Sequence, residues 1–244
     1  MGRIGCRVVH LDEVTSTIDV ARRLAEEGAA HGTVVRAERQ TSGRGRRGRV
    51  WTTIPGKSLA MTTILRDLPA PDRLGLAGMA AALGVVLAAD SALDLALRTK
   101  WPNDVVADGR KVAGTLAELH GEVLLLSLGL NINGAEADLP ADLREAATTL
   151  ELLCGRPLDR EPVTARVIGG LDASWQMLLA APEAVLAAWE ALDVTLGEEV
   201  IARTAKGRSL TGRALGVDAT GRLLLRRADG EIVPLAAGDV TLKT

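Results

Sequence analysis

The spacing of apolar and polar positions changes period several times along the chain, and these changes divide it into elements. Residues 6–11 read as a short strand. Thr15-Ser16-Thr17 then opens a helix, with Asp19 in its first turn and Val20, Ala21, Leu24 and Ala25 along one face, stopping near Gly28. Strands are predicted over 33–39 and 58–65, and a long Ala/Leu helix over 72–93. A strand over 95–101 ends at Pro102, and Asp108-Gly109 reads as a hairpin turn leading into a strand over 111–119. Gly121 closes another turn before an apolar strand over 123–132. The pattern loosens from Asn133 through Leu150, after which two helices are expected over 162–179 and 182–192. From Val194 onward the texture changes to five short β runs, at 199–204, 210–217, 223–227, 232–235 and 240–242, which predict a small barrel. The expected class is α+β: helices on a mixed sheet, because several connections are hairpins, in a domain over 1–193, followed by a β module over 194–244.

Composition narrows the classes. With 244 residues, 47% of them hydrophobic and 25% charged, the chain is long enough for a sizeable core. Its two cysteines, Cys6 and Cys154, match no zinc or redox spacing, and His10, His31 and His120 form no ligand set. The N-terminus lacks a signal-type apolar region, and no segment reads as a membrane span, so a cytoplasmic protein is expected.

Charge is distributed unevenly. Residues 36–49 hold six arginines against one acid, Glu38, whereas the whole chain carries a net charge of −2. The centre of this segment is Gly43-Arg44-Gly45-Arg46-Arg47-Gly48, where glycines allow close backbone approach and arginines present charged forks to phosphate or carboxylate oxygens. A second dense stretch is Lys100-Trp101-Pro102-Asn103-Asp104, in which a lysine, an amide and a carboxylate at a strand end suit phosphate and a divalent cation. Lys111-Val112-Ala113-Gly114 and Gly129-Leu130-Asn131 follow. Each also has a plain structural reading: Pro-Asn-Asp as a turn, Ser16 and Thr17 as helix caps, Trp51 and Trp101 as core, Lys243 as a solvated terminal charge.

Taken in order, Ser16-Thr17, Gln40, the Gly43–Arg49 run with Trp51, Lys100 to Asp104, Lys111 to Gly114 and Gly129 to Asn131 resemble the catalytic domain of biotin protein ligases, over roughly residues 8 to 133. The C-terminal β module, ending Gly238-Asp239-Val240-Thr241-Leu242-Lys243, resembles that family's SH3-like cap. The resemblance implies a class II synthetase-like fold and a two-step reaction, in which biotin and ATP give biotinyl-5′-adenylate and a lysine of a biotin carboxyl carrier domain then takes the biotin. It implies catalytic roles for Arg44, Arg46 and Lys111. The implied biotin contacts are Ser16, Thr17, Ile18, Gln40, Gly43, Arg44, Gly45, Arg46, Lys111 and Gly114. For ATP and the adenylate they are Arg46, Arg47, Arg49, Trp51, Lys100, Asn103, Lys111, Asn131 and Lys243, with Asp104 for Mg2+.

At Ile18 many relatives carry Asn, so that side chain is expected to pack rather than hydrogen-bond. Relatives that repress transcription carry a helix-turn-helix domain before the catalytic part. The resemblance here starts within about ten residues of Met1, so a ligase without DNA binding is expected, as a monomer or homodimer. Two rivals stand beside this reading. A lipoate-type ligase shares a related fold, but the loop and the Lys100–Asp104 run favour biotin. A Gly/Arg RNA-binding module would want exposed aromatics, and the chain has no Tyr, no Phe and four Trp.

Overall fold

The computed structural model describes residues 2–204, 207–236 and 238–242; Lys243, assigned above to the adenylate, lies outside them. Seven strands form the main sheet: β1 (Arg7–Val14), β2 (Thr33–Gln40), β3 (Ser58–Leu65), β4 (Arg98–Lys100), β5 (Asp104–Ala107), β6 (Arg110–His120) and β7 (Val123–Asn131). Their order is β1-β2-β3-β7-β6-β5-β4. β1 and β2 are parallel and the other neighbours antiparallel, so the sheet is mixed, as expected.

The two central strands, β3 and β7, are buried along their whole length. Alternation along β7 sorts its residues. Leu124, Leu126, Leu128 and Leu130 join the large core under α2 (Ala77–Leu93), α4 (Arg160–Ala180) and α5 (Pro182–Glu190). Val123 and Leu125 face the other way, under α1 (Thr17–Glu26), whose buried stripe is Ile18, Ala21 and Ala25. Beyond Leu125 the same face continues as Ser127, Gly129 and Asn131, past the cover of α1. There the sheet gives up apolar packing and becomes a floor.

α2 is apolar nearly all round because it lies between the sheet and α4. Its backbone crosses α4 closely at two glycines: a β-carbon on Gly84 would meet Gly170 O at 2.7 Å, and one on Gly170 would meet Gly84 O at 2.2 Å. Residues Pro71–Ala89 have the length and mean hydropathy (1.5) of a membrane span, contrary to the sequence expectation, but 67% of that window is buried inside the fold, as in a core helix. The α-helix starts at Ala77 rather than 72, since Pro71–Leu76 winds as a 3₁₀ turn. A short helix not anticipated, α3 (Leu150–Cys154), is capped by Thr149, whose hydroxyl accepts from Leu152 N at 3.1 Å.

The five expected C-terminal strands are present as β8 (Glu199–Thr204), β9 (Ser209–Val217), β10 (Leu223–Arg226), β11 (Ile232–Leu235) and β12 (Gly238–Leu242). They form an antiparallel sheet ordered β11-β10-β9-β8-β12, and among the described residues no edge-to-edge pairing closes it into a barrel. Its core includes Trp101, contributed by the turn between β4 and β5 and only 1% exposed. Trp101 Nε1 donates to Gly221 O at 3.0 Å, so the Lys100–Asp104 stretch and the β module share a tryptophan.

Candidate active site

A cavity of about 390 Å³ opens over the bare end of the β7 floor. The start of α1, the loop after β2, the β4–β5 turn, the start of β6 and residues 139–147 wall it, and Val240 and Thr241 of β12 reach its rim.

One end is neutral and polar. Thr17 N and Thr17 Oγ1 both donate to Gln40 Oε1, at 2.8 and 3.1 Å, and Thr17 Oγ1 lies 2.8 Å from Thr62 Oγ1. Thr62 in turn lies 2.9 Å from Ser127 Oγ on the neighbouring strand. Ile18 closes this end and is 2% exposed, which fits an apolar wall rather than a polar contact.

The other end is cationic. Gly43 holds the loop against Trp51: a β-carbon on it would meet Trp51 O at 2.4 Å, and Trp51 N donates to Gly43 O. Arg44 donates to Asp19 Oδ1 at 2.6 Å, and Arg46 to Asn103 Oδ1 at 3.0 Å. Arg49 and Lys100 complete the cationic lining. Lys111 Nζ sits 2.6 Å from Asp104 Oδ1 and 5.8 Å from the centre of the Trp51 ring. Gly114 makes room for that lysine, since a β-carbon there would stand 2.7 Å from Lys111 Nζ.

Trp51 lies flat on the floor, because Gly129 offers no side chain beneath it. Its Nε1 is buried and has no hydrogen-bond partner among the described residues. Asn131 is fixed at the end of β7 by donation to Thr148 O at 3.1 Å. Asp104 has Asn103 beside it, and no cluster of three or more acidic, His or Cys residues occurs among the described residues. A lone carboxylate suits a cation held mainly by phosphates and water, rather than a protein-built metal cage.

Family models match on both sides of the molecule. Residues 10–133 match the biotin/lipoate A/B protein ligase family, and residues 195–243 match the biotin protein ligase C-terminal domain. The chain belongs to the biotin protein ligase family. It is 32% identical over 248 residues to the bifunctional ligase/repressor BirA of Bacillus subtilis, covering 98% of this chain and 75% of that one. To the biotin–[acetyl-CoA-carboxylase] ligase of Mycobacterium tuberculosis it is 33% identical, covering 94% and 88%. The biotin protein ligase of Aquifex aeolicus, solved with biotin and ATP, superposes with a TM-score of 0.85 at 29% identity, covering 98% of this chain and 99% of that one. The protein is therefore a ligase enzyme, with the α+β architecture of its family and a separate C-terminal β module.

Within this ligase, Thr17, Ile18, Gln40, Arg44, Gly45, Arg46, Arg49, Trp51, Lys100, Asn103, Asp104, Lys111, Gly114 and Asn131 all line the cavity. Three residues expected there do not. Ser16 sits behind the wall, its hydroxyl accepting from Ile18 N at 3.3 Å as the cap of α1. Gly43 shapes the loop from outside. Arg47 turns away and donates to Arg203 O and Thr204 O of β8, at 3.2 and 2.8 Å. The cause is local: Arg47 has a left-handed backbone (φ 58°, ψ 35°), which throws its side chain to the opposite side from its neighbours. Sequence reasoning also missed Asp19 as the partner of Arg44, and the hydroxyls of Thr62 and Ser127. Their one signal is a polar residue at an inward position of a fully buried strand.

Proposed function

We propose that this ligase joins biotin to a lysine of a biotin carboxyl carrier domain through a biotinyl-5′-adenylate. The observation that carries the reading is one cavity with a neutral donor–acceptor end at Thr17 and Gln40 and a cationic end built from Arg44, Arg46, Arg49, Lys100 and Lys111. A urea ring, with its donors and acceptor, suits the first end, and a carboxylate meeting a triphosphate suits the second.

In the first step a biotin carboxylate oxygen bonds to the α-phosphorus of ATP, and the bond to the bridging oxygen breaks, releasing pyrophosphate. Both reactants are anions, so Arg44, Arg46 and Lys111 offset the charge that concentrates between them. Before substrates arrive, Asp19, Asn103 and Asp104 keep these cations in place through the contacts above. Mg2+ would be held by Asp104 together with phosphate oxygens, and it would neutralise the leaving pyrophosphate. Trp51 offers its ring to the nucleotide, with Asn131 close by. In the second step the neutral lysine amine attacks the anhydride carbonyl, a C–N bond forms, AMP leaves with the electron pair of the broken C–O bond, and the ammonium proton passes to solvent. Two free cysteines, one of them exposed, agree with a reducing cytoplasm, where ATP is at hand.

The test is pyrophosphate release with ATP and either biotin or lipoate, followed by mass analysis of a carrier domain. Biotin-dependent release and a biotinylated carrier lysine are expected. Release with lipoate alone refutes the substrate assignment.

A further inference from the structure

The hydroxyl chain at the polar end has a direction that hydrogen-bond counting determines. Thr17 N can only donate, so the Gln40 atom 2.8 Å from it must be the amide oxygen, which can only accept. Thr17 Oγ1 therefore spends its single proton on Gln40 Oε1, at 3.1 Å. The contact between Thr17 Oγ1 and Thr62 Oγ1 (2.8 Å) must then use the proton of Thr62. By the same step, the 2.9 Å contact between Thr62 and Ser127 uses the proton of Ser127. Ser127 is left with no proton to offer the cavity it lines, only lone pairs. Gln40, with its oxygen committed, donates through Nε2 to Thr53 Oγ1 at 3.5 Å. The polar end thus presents an acceptor at Ser127. The chain is buried, Thr17 at 2%, Thr62 at 0% and Ser127 at 9% exposure, so water cannot easily reset its direction.

We propose that Ser127 is a specificity-determining residue, its oxygen accepting a hydrogen bond from one ring N–H of the bound cyclic urea. The assignment rests on the reading that biotin occupies this cavity. It also supplies a reason for rejecting a dithiolane ring, which has no N–H to satisfy Ser127 and would leave a buried acceptor unpaired.

The experiment is calorimetric binding of three ligands to the full chain: biotin, and the two cyclic carbamates in which one or the other ring N–H is replaced by oxygen. Ser127→Ala and Ser127→Gly, which both remove the oxygen, should weaken biotin about tenfold, the worth of one hydrogen bond. They should weaken equally the carbamate that keeps the contacted N–H, and should not weaken the other, whose ring oxygen faces the Ser127 lone pairs in the wild type and loses nothing when they are removed. Unchanged biotin binding overturns the assignment, as does an equal loss for all three ligands, which is what a damaged fold would give. Failure of the wild-type protein to bind biotin refutes the substrate reading instead, so the two failures are distinguishable.

Discussion

The contact between Trp51 and Gly129 gives the sharpest test of how the nucleotide end is built. A β-carbon added at Gly129 would stand 2.1, 2.4 and 2.6 Å from three atoms of the indole. Carbon atoms rest at about 3.5–4.0 Å, so Gly129→Ala demands a retreat of about 1.5 Å by one side or the other. The strand cannot retreat, because Gly129 lies between Ala60 of β3 and Gly114 of β6 in the middle of the sheet. The indole belongs to an irregular loop segment and can. Overpacking of this kind costs about 1–3 kcal/mol. If the indole swings out in the free protein, the cost appears when the nucleotide needs it back, as ATP binding weakened about 5–150-fold. If the indole is trapped, the same energy lowers the melting temperature by about 2–12 °C. The half-exposed position of Trp51 favours the first outcome. Titration of ATP into the biotin-loaded protein, with a thermal melt of the same sample, measures both. Wild-type values in both experiments would refute the packing argument and the placement of Trp51 with it.

Three further outcomes are expected. Lys111→Ala should slow single-turnover adenylate formation about 10²–10³-fold, the loss seen when one donor to a developing charge is removed; a change of a few-fold would take Lys111 out of the chemical step. Arg47→Gly retains the left-handed backbone without strain but deletes the guanidinium that reaches β8. Faster amide hydrogen exchange over residues 44–50 is expected, and unchanged exchange would make the contact incidental. Burial pushes the Asp193 carboxyl above its ordinary range, against the N–H groups of Thr195, Leu196 and Trp101 that bond to it. A raised pKa means that the neutral form favours folding, so this contribution is complete at low pH and is lost as pH rises through the folded pKa. Asp193→Asn should therefore flatten the pH dependence of stability from the unfolded carboxyl pKa upward, as read from denaturant midpoints; an unaltered profile would count against it.

The elements were legible because burial imposes a period on the chain that no other constraint erases. β3 occupies the expected residues 58–65, and alternation and turn residues alone predict the five strands of the β module. The ordered motifs were legible because the chemistry they imply needs particular side chains at particular strand ends. Where reading failed, the deciding term was local geometry or distant packing. α3 escaped because five residues carry too little periodicity.

By itself the sequence determined that a glycine–arginine loop would gather positive charge beside a lysine, an amide and a carboxylate, since residue type sets charge and hydrogen-bonding capacity before any folding. Tertiary structure decided which of those groups face one cavity. Arg46 and Arg47 are adjacent and chemically identical, yet one contacts Asn103 at the cavity and the other β8, because a single left-handed backbone residue separates their directions. Ser127 carries no motif, and it becomes a directed acceptor only when Thr62 and Thr17, distant in sequence, are brought to hydrogen-bond distance by strand register and by the entry of α1. Side-chain chemistry is local and can be read along the chain, whereas direction and adjacency arise from packing between segments.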